Sequence, residues 1–235
     1  MVKWKTHKLI TRAVCEALSI PNSEEVVESS VFPDQHNEFF VSNGKRVRIK
    51  HHSPFALKAA WRHILKARKL LLQGKDCSED LGMALHYIQD YSVSVTRRFL
   101  FFRWRSEKVH DEREEELAEL PVPRDAIEEG MKIRDPNQLK KALFSEKPEE
   151  ELERIMYTAT TLSAAAVATI FYPVGDGSGW RRAVALHIAA VASPLLLALI
   201  GGWLWLPLAT VLGYAVHKLD FKYHRAKLER DWFRP

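Results

Sequence analysis

Cysteine is scarce in this chain, which has only Cys15 and Cys77 among its 235 residues. Two cysteines cannot form the set of disulfides that stabilises small secreted domains, and they cannot supply a cysteine-based structural zinc site. We therefore expect a folded protein of a reducing compartment. Apolar residues make up 46% of the sequence and charged residues 28%, which also excludes a disordered or low-complexity chain.

A cleavable signal peptide and long strand patterns are also missing. The first apolar stretch, residues 9–20, is interrupted by Arg12 and Glu16, so it lacks the continuous apolar region of a signal peptide. No segment shows a long alternation of apolar and polar residues, while several show helical spacing. The pattern predicts an all-α domain over residues 1–156, in which residues 21–54 form loops and short turns.

Charged residues are absent from residues 183–216, a run of 34 residues that exceeds the ~18 apolar residues needed to cross a bilayer. One straight helix of this length would be about 51 Å long, well over the ~30 Å hydrocarbon core. The run therefore predicts a transmembrane helical hairpin that turns at Gly201–Gly202, with a re-entrant loop as the alternative. Residues 157–182 are expected to form a connecting helix and loop, and residues 157–172 within them are either a third membrane segment or a buried or interfacial helix.

Positive charge is concentrated behind the apolar run. The tail, residues 217–235, carries six Lys and Arg residues against three acidic ones, and Arg181 and Arg182 precede the run. Under the positive-inside rule, this distribution predicts an integral membrane protein whose N-terminal domain and C-terminal tail are both cytoplasmic. Membrane lipid is the expected partner. A nucleic-acid partner is disfavoured, because most of the basic excess lies outside the N-terminal domain.

Histidine and carboxylate pairs with helical spacing are the strongest chemical signal. His86 and Asp90 are four residues apart in a predicted helix, so both side chains lie on one face and can reach one ion. His110 and Glu114 repeat this spacing on the next predicted helix. Imidazole and carboxylate groups without thiolate suit zinc, with manganese or iron as substitutes. Further candidate ligands are His7, Asp34, His51 and His52.

Each of these features has a simpler interpretation on its own. An isolated His–Asp pair on a helix is often only a local hydrogen bond. His110 and Glu114 lie in a run of charged residues that is typical of a solvated surface, and Asp34 follows a proline, where aspartate is common in turns. The occurrence of all of them in one short helical domain favours a metal centre.

Five motifs follow one another in the first half of the chain: Trp4-Lys5-Thr6-His7, Pro33-Asp34, His52, Ala84-Leu85-His86-Tyr87-Ile88-Gln89-Asp90 and His110-x-x-x-Glu114. In order and spacing they resemble the zinc-dependent phospholipase C and single-strand nuclease superfamily, and in particular its archaeal-type phospholipase C-like members. The run from Leu85 to Asp90 is the most specific part of the resemblance. The resemblance implies an all-helical domain that holds one to three zinc ions in a cleft.

The resemblance also implies a role for each matching residue. The ligands of a first zinc ion would be Asp34, His52 (or His51), His86 and Asp90. Asp34 would also serve as the catalytic general base. A second ion would be shared by Asp90, His7 and a backbone contact from Trp4. A third ion would be bound by His110 and Glu114.

One ligand of the family is missing from this chain. The family places a further zinc-binding histidine shortly after the long motif, where this sequence has Thr96. The expected function is a membrane-anchored zinc hydrolase that cleaves a phospholipid headgroup, with Arg97 and Arg98 docking on the headgroup layer. The alternatives are a zinc-stabilised membrane scaffold that has lost catalysis, and a phosphohydrolase that acts on nucleotides or nucleic acid.

Overall fold

The computed structural model describes residues 3–36, 38–42, 45–51, 53–94, 96–99, 102–105, 113 and 115–234. The chain divides into two compact units, Met1–Val174 and Gly175–Pro235. The helices of the first unit are α1 (Lys3–Ala17), α2 (Ser23–Ser29), α3 (Phe32–Gln35), α4 (Pro54–Leu72), α5 (Ser78–Ser92), α6 (Arg124–Gly130), α7 (Pro136–Ser145) and α8 (Leu152–Phe171). The helices of the second unit are α9 (Trp180–Ala192), α10 (Leu195–Gly201), α11 (Leu206–Leu219) and α12 (Phe221–Phe233).

The predominance of helix confirms the all-α prediction at the level of fold class, and two short β-hairpins are added to it. Strands β1 (Phe39–Ser42) and β2 (Lys45–Arg48) pair antiparallel, with Phe39 opposite Arg48. Strands β3 (Thr96–Phe99) and β4 (Phe102–Arg105) form the second hairpin. Each strand has four residues, which is too short to produce a clear alternating pattern in the sequence.

Helix α5 lies at the centre of the first unit, where it contacts α1, α2, α3, α4 and α8. Most of its residues are buried, and three of the buried ones are the polar residues His86, Gln89 and Asp90. Helix α8, which includes the candidate third membrane segment, is buried along most of its length and packs against α5 and α6. Because buried polar groups need hydrogen-bond partners or an ion, α5 must carry a polar site within the core.

A glycine sets the distance between α2 and α5. A Cβ atom at Gly82 would lie 2.6 Å from Ser29 Cβ and 2.6 Å from the carbonyl oxygen of Val26, closer than side chains pack in proteins. The two helices reach this separation only because Gly82 has no side chain. The close contact brings the carbonyl group of Ser30 to His86, one turn further along α5.

The second unit corrects the prediction of a transmembrane hairpin. Residues 183–216 are divided among α9, α10, a short 3₁₀ turn at Trp203–Trp205 and α11, and no helix in the described part of the chain is both long and apolar enough to cross a membrane. The predicted membrane hairpin is therefore wrong, as are the integral membrane localisation and the topology drawn from it.

The breaks in this apolar run have local causes. Pro194 immediately precedes α10, Gly202 has a φ of 80°, and Pro207 lies in the first turn of α11. The three α-helices have 13, 7 and 14 residues. At 1.5 Å per residue they are about 20, 10 and 21 Å long, each short of the ~30 Å hydrocarbon core.

Candidate metal centre

Four side chains predicted as metal ligands converge: Asp34 on α3, His51 after β2, and His86 and Asp90 on α5. One ligand atom from each lies within 4.8 Å of the others. Asp90 Oδ2 is 2.8 Å from His51 Nδ1 and 3.1 Å from His86 Nε2. Asp34 Oδ1 is 3.4 Å from His51 Nδ1 and 3.7 Å from His86 Nε2. No other group of three or more such ligands comes this close among the described residues.

Local structure explains how two distant segments meet at this point. The spacing of four places His86 and Asp90 on one face of α5. The β1–β2 hairpin reverses the chain after α3, and its base is closed by a hydrogen bond from the Ile49 amide to the carbonyl oxygen of Glu38, at 3.0 Å. The reversal returns His51 to the side of Asp34.

A backbone contact fixes the orientation of the His86 ring. His86 Nδ1 donates to the carbonyl oxygen of Ser30 at 2.9 Å, and the side chain is fully buried. With the proton on Nδ1, the lone pair of Nε2 points at Asp90, Asp34 and His51. Histidine ligands of metals are generally oriented by such a second hydrogen bond. The tautomer of His86 is therefore the one that a metal ligand requires.

The charges of the cluster favour a cation. Burial opposes ionisation of Asp90, but electrostatic attraction to His86 and hydrogen bonds with the imidazoles of His51, His7 and His86 hold its pKa well below the ordinary value. Burial also opposes ionisation of Asp34, and a hydrogen bond from His51 lowers its pKa. For His51, hydrogen bonds to the two carboxylates outweigh burial and raise the pKa to about 9. Without a metal, the proton on His51 therefore offsets the charge of one of the two carboxylates, and a metal ion would displace that proton.

His7 extends the cluster towards α1. Its Nδ1 donates to Gln89 Oε1 at 2.8 Å, and Gln89 Nε2 donates in turn to Thr11 Oγ1 at 3.2 Å, which fixes the orientation of the amide. His7 Nε2 then faces the second oxygen of Asp90, Oδ1, at 3.2 Å. Asp90 thus contacts two imidazoles through Oδ2, those of His51 and His86, and a third, that of His7, through Oδ1.

The remaining predicted site residues are less fully described. Trp4 lies one turn before His7 on α1 and is partly exposed. Thr96, Arg97 and Arg98 belong to β3. The predicted ligands His52, His110 and Glu114 lie outside the described residues.

Sequence reasoning missed a second buried polar group, which we call the Glu38 network: Glu38, His63, Asp80 and Tyr87. His63 Nδ1 is 2.8 Å from Asp80 Oδ1, and His63 Nε2 is 3.0 Å from Glu38 Oε2. The Tyr87 hydroxyl donates to the same Glu38 oxygen at 2.8 Å. Its ring also meets the His51 ring edge to face, with centroids 5.4 Å apart. No local spacing indicates this network, because its members come from three separate segments.

The second unit contains a further histidine and aspartate contact. His187 Nδ1 is 2.8 Å from Asp220 Oδ2, and His187 Nε2 is 2.9 Å from His217 Nδ1. The two partners meet opposite nitrogens of one imidazole ring, so their ligand atoms do not converge on a common point. The arrangement is that of a hydrogen-bonded chain.

Comparisons with known proteins add no identification: no protein-family model, no curated protein and no solved structure matches this chain. The interpretation of the site therefore depends on its own geometry and on the resemblance of its motifs.

Proposed function

We propose that this chain is a metal-dependent phosphodiester hydrolase, with zinc at the centre formed by Asp34, His51, His86 and Asp90. The observation that carries the proposal is the convergence of two imidazole nitrogens and two carboxylate oxygens within 4.8 Å, partly open to solvent. Zinc prefers such nitrogen and oxygen ligands, although manganese and iron accept them too. The motifs that resemble the zinc-dependent phospholipase C superfamily include three of these four residues.

The four ligands differ in accessibility, and this difference suggests their separate tasks. The side chains of His86 and Asp90 are 0% and 3% exposed, so they would hold the ion from the protein interior. Asp34 is 24% exposed and His51 is 17% exposed, which places them on the solvent side. When bound, zinc would lower the pKa of a coordinated water to ~7 and stabilise negative charge on the phosphoryl oxygens. Asp34, whose carboxylate stays ionised, would accept the proton of the attacking water.

A phospholipid is the substrate class that we favour. The second unit exposes several large apolar side chains, including Leu199 at 80%, Trp203 at 76% and Phe221 at 75%. Exposed apolar surface marks sites of interaction, and contact with lipid is one that these side chains fit. The aliphatic part of the surface would contribute little to the binding of a nucleotide or nucleic acid. Cleavage would release the neutral glycerolipid and leave the phosphate on the headgroup.

A zinc-stabilised scaffold without catalysis is the second candidate. Four protein ligands would complete a tetrahedral shell, and a zinc site closed in this way is typically structural. The two functions differ in the role of Asp34. A scaffold needs it only as a ligand, whereas a hydrolase needs it to take up a proton.

Metal content and hydrolysis test the proposal together. We expect purified protein to contain zinc, and the double variant His86→Ala, Asp90→Ala to lose it. The matched control His36→Ala removes an exposed histidine close to Asp34 and should keep the metal. Asp34→Asn should retain zinc on the other three ligands but hydrolyse bis(p-nitrophenyl) phosphate and phospholipid vesicles about 10²- to 10⁴-fold more slowly, the usual contribution of a general base.

Each alternative has its own result in these assays. Protein that folds and contains no metal would refute the metal centre, and hydrolysis that survives chelation and Asp34→Asn would refute the assigned roles. Full zinc loading without hydrolysis of any phospholipid would favour the scaffold. Hydrolysis of nucleotides or single-stranded nucleic acid, but not of lipid, would replace the phospholipid by a nucleotide substrate.

A further inference from the structure

The β1–β2 hairpin joins the two solvent-side ligands of the centre. Asp34 lies four residues before Glu38, where the hairpin begins, and His51 lies two residues after Ile49, where it ends. From Phe39 to Lys50 the sequence has four basic residues and no acidic one. The charged residues from Phe39 to Lys50, between the two candidate ligands, are thus all basic.

The Glu38 network fixes the base of this hairpin to the helical core. Glu38 Oε2 accepts hydrogen bonds from the Tyr87 hydroxyl and from His63, and Arg62 donates to Glu38 Oε1 at 3.2 Å. Its backbone carbonyl accepts the hydrogen bond from Ile49. Glu38 therefore joins the base of the hairpin to α4 and to α5, the helix that carries His86 and Asp90.

Three cations of the hairpin are exposed: Arg46, Arg48 and Lys50. The guanidinium of Arg46 lies over the Phe39 ring, 4.6 Å from its centroid. Within the described chain, none of the three forms an ion pair with an acidic side chain. Some other cations of this unit are paired: Lys8 is 2.6 Å from Glu28 Oε2, for example. No acidic side chain among the described residues therefore neutralises these three cations.

These cations are close to the candidate centre. Lys50 is adjacent to His51, so their Cα atoms are about 3.8 Å apart, and Arg48 is at most ~11 Å from His51 along an extended chain. Arg46 and Arg48 are two residues apart on β2 and therefore project from the same face of the hairpin. An anionic group that approaches the partly exposed side of the centre would meet this charge.

From these observations we infer that the β1–β2 hairpin is the substrate-recognition element of the centre, where Arg46, Arg48 and Lys50 bind the anionic phosphate of the substrate. The inference rests on the proposed function, since it assigns the residues that recognise the phosphodiester. Arginine binds phosphate oxygens in pairs and lysine adds a point charge. The contacts of Glu38 hold the base of the hairpin beside the candidate ligands.

Calorimetry tests this role by measuring the affinity of inorganic phosphate for the purified protein, from which excess metal has been removed. The triple variant Arg46→Gln, Arg48→Gln, Lys50→Gln should raise the Kd about tenfold or more, with an effect of a few-fold for each single change, because each exposed ion pair contributes little. For bis(p-nitrophenyl) phosphate, KM should rise and kcat change little. Both effects should shrink at high salt.

A matched triple variant controls for net charge. Lys132→Gln, Lys141→Gln and Lys147→Gln remove three exposed lysines from other parts of the same unit and should leave phosphate affinity and KM unchanged. If both triple variants bind phosphate equally, the hairpin has no recognition role. Zinc content is measured in every sample: absence of metal refutes the proposed function, while the comparison of the two triple variants still decides the role of the hairpin.

Discussion

Replacing Gly82 by alanine tests how the packing of the core supports the metal centre. The added Cβ would lie 2.6 Å from Ser29 Cβ and from the Val26 carbonyl oxygen, whereas ordinary contacts begin at 3.4 Å. The obstacles are a Cβ atom and backbone, so no side-chain rotation relieves the clash. Helices α2 and α5 must therefore separate by about 0.8 Å, the difference between these two distances.

The expected loss of stability is the balance of two effects. Overpacking in a close-packed core costs about 1–3 kcal/mol, and alanine gains about 1 kcal/mol over glycine in a helix interior. The net cost is therefore about 0–2 kcal/mol. The same separation would lengthen the hydrogen bond from His86 Nδ1 to Ser30 from 2.9 Å to about 3.7 Å, beyond hydrogen-bonding distance. Loss of such an orienting contact typically lowers metal affinity by 10- to 100-fold.

Urea unfolding and zinc titration measure the two consequences separately. Unfolding of Gly82→Ala after chelation gives the packing cost, and competition with a zinc chelator gives the change in affinity. Gly179→Ala is the control, because no atom lies within 4 Å of a Cβ at that position. A variant that binds zinc as tightly as the parent would refute the argument that Gly82 sets the position of His86.

Three further outcomes follow from the same contacts. His63 lies between Asp80 and Glu38; burial opposes its protonation, but hydrogen bonds to these two residues raise its pKa above the ordinary ~6.5. Protonated His63 therefore stabilises the fold fully below pH ~6.5, and this stabilisation is lost as the pH rises through the folded-state pKa. Over that rise in pH, the urea midpoint of His63→Gln should fall less steeply than that of the parent protein. Glu38→Gln should weaken zinc binding without removing a ligand, as chelator competition would detect. Trp203→Ser should reduce hydrolysis of phospholipid in vesicles but not of bis(p-nitrophenyl) phosphate, whereas Phe144→Ser, which removes an exposed aromatic from the first unit, should change neither rate.

The sequence identified those parts of the site that depend on local geometry. His86 and Asp90 are four residues apart, so any helix places them together, and the structure does so. Asp34 and His51 could be named only as candidates, because their meeting depends on a hairpin whose four-residue strands leave no readable pattern. The role of His63 in a buried network could not be recognised from the sequence, since its partners Glu38 and Asp80 lie on other segments. Contacts of this kind follow from tertiary packing, which spacing alone does not reveal.

The predicted membrane hairpin failed for a related reason. The absence of charge over residues 183–216 describes only the composition of the run. A criterion based on charge does not distinguish Pro194 and Pro207 from leucine, although proline restricts where a helix can form. In the folded chain these prolines and Gly202 determine where each helix begins or ends. Helix length, which decides whether a segment can cross a bilayer, is therefore set by a few backbone positions within the run.

The geometry of the four ligands also bears on whether the centre is structural or catalytic. The three contacts among His51, His86 and Asp90 are 2.8–3.1 Å, whereas Asp34 is 3.4 and 3.7 Å from the two imidazoles. Asp34 is also the most exposed of the four. Three groups thus form a compact, mostly buried set, and the fourth is the one most easily exchanged for water. Catalytic zinc sites have this division, with three protein ligands and one open position, whereas structural sites hold all four ligands alike.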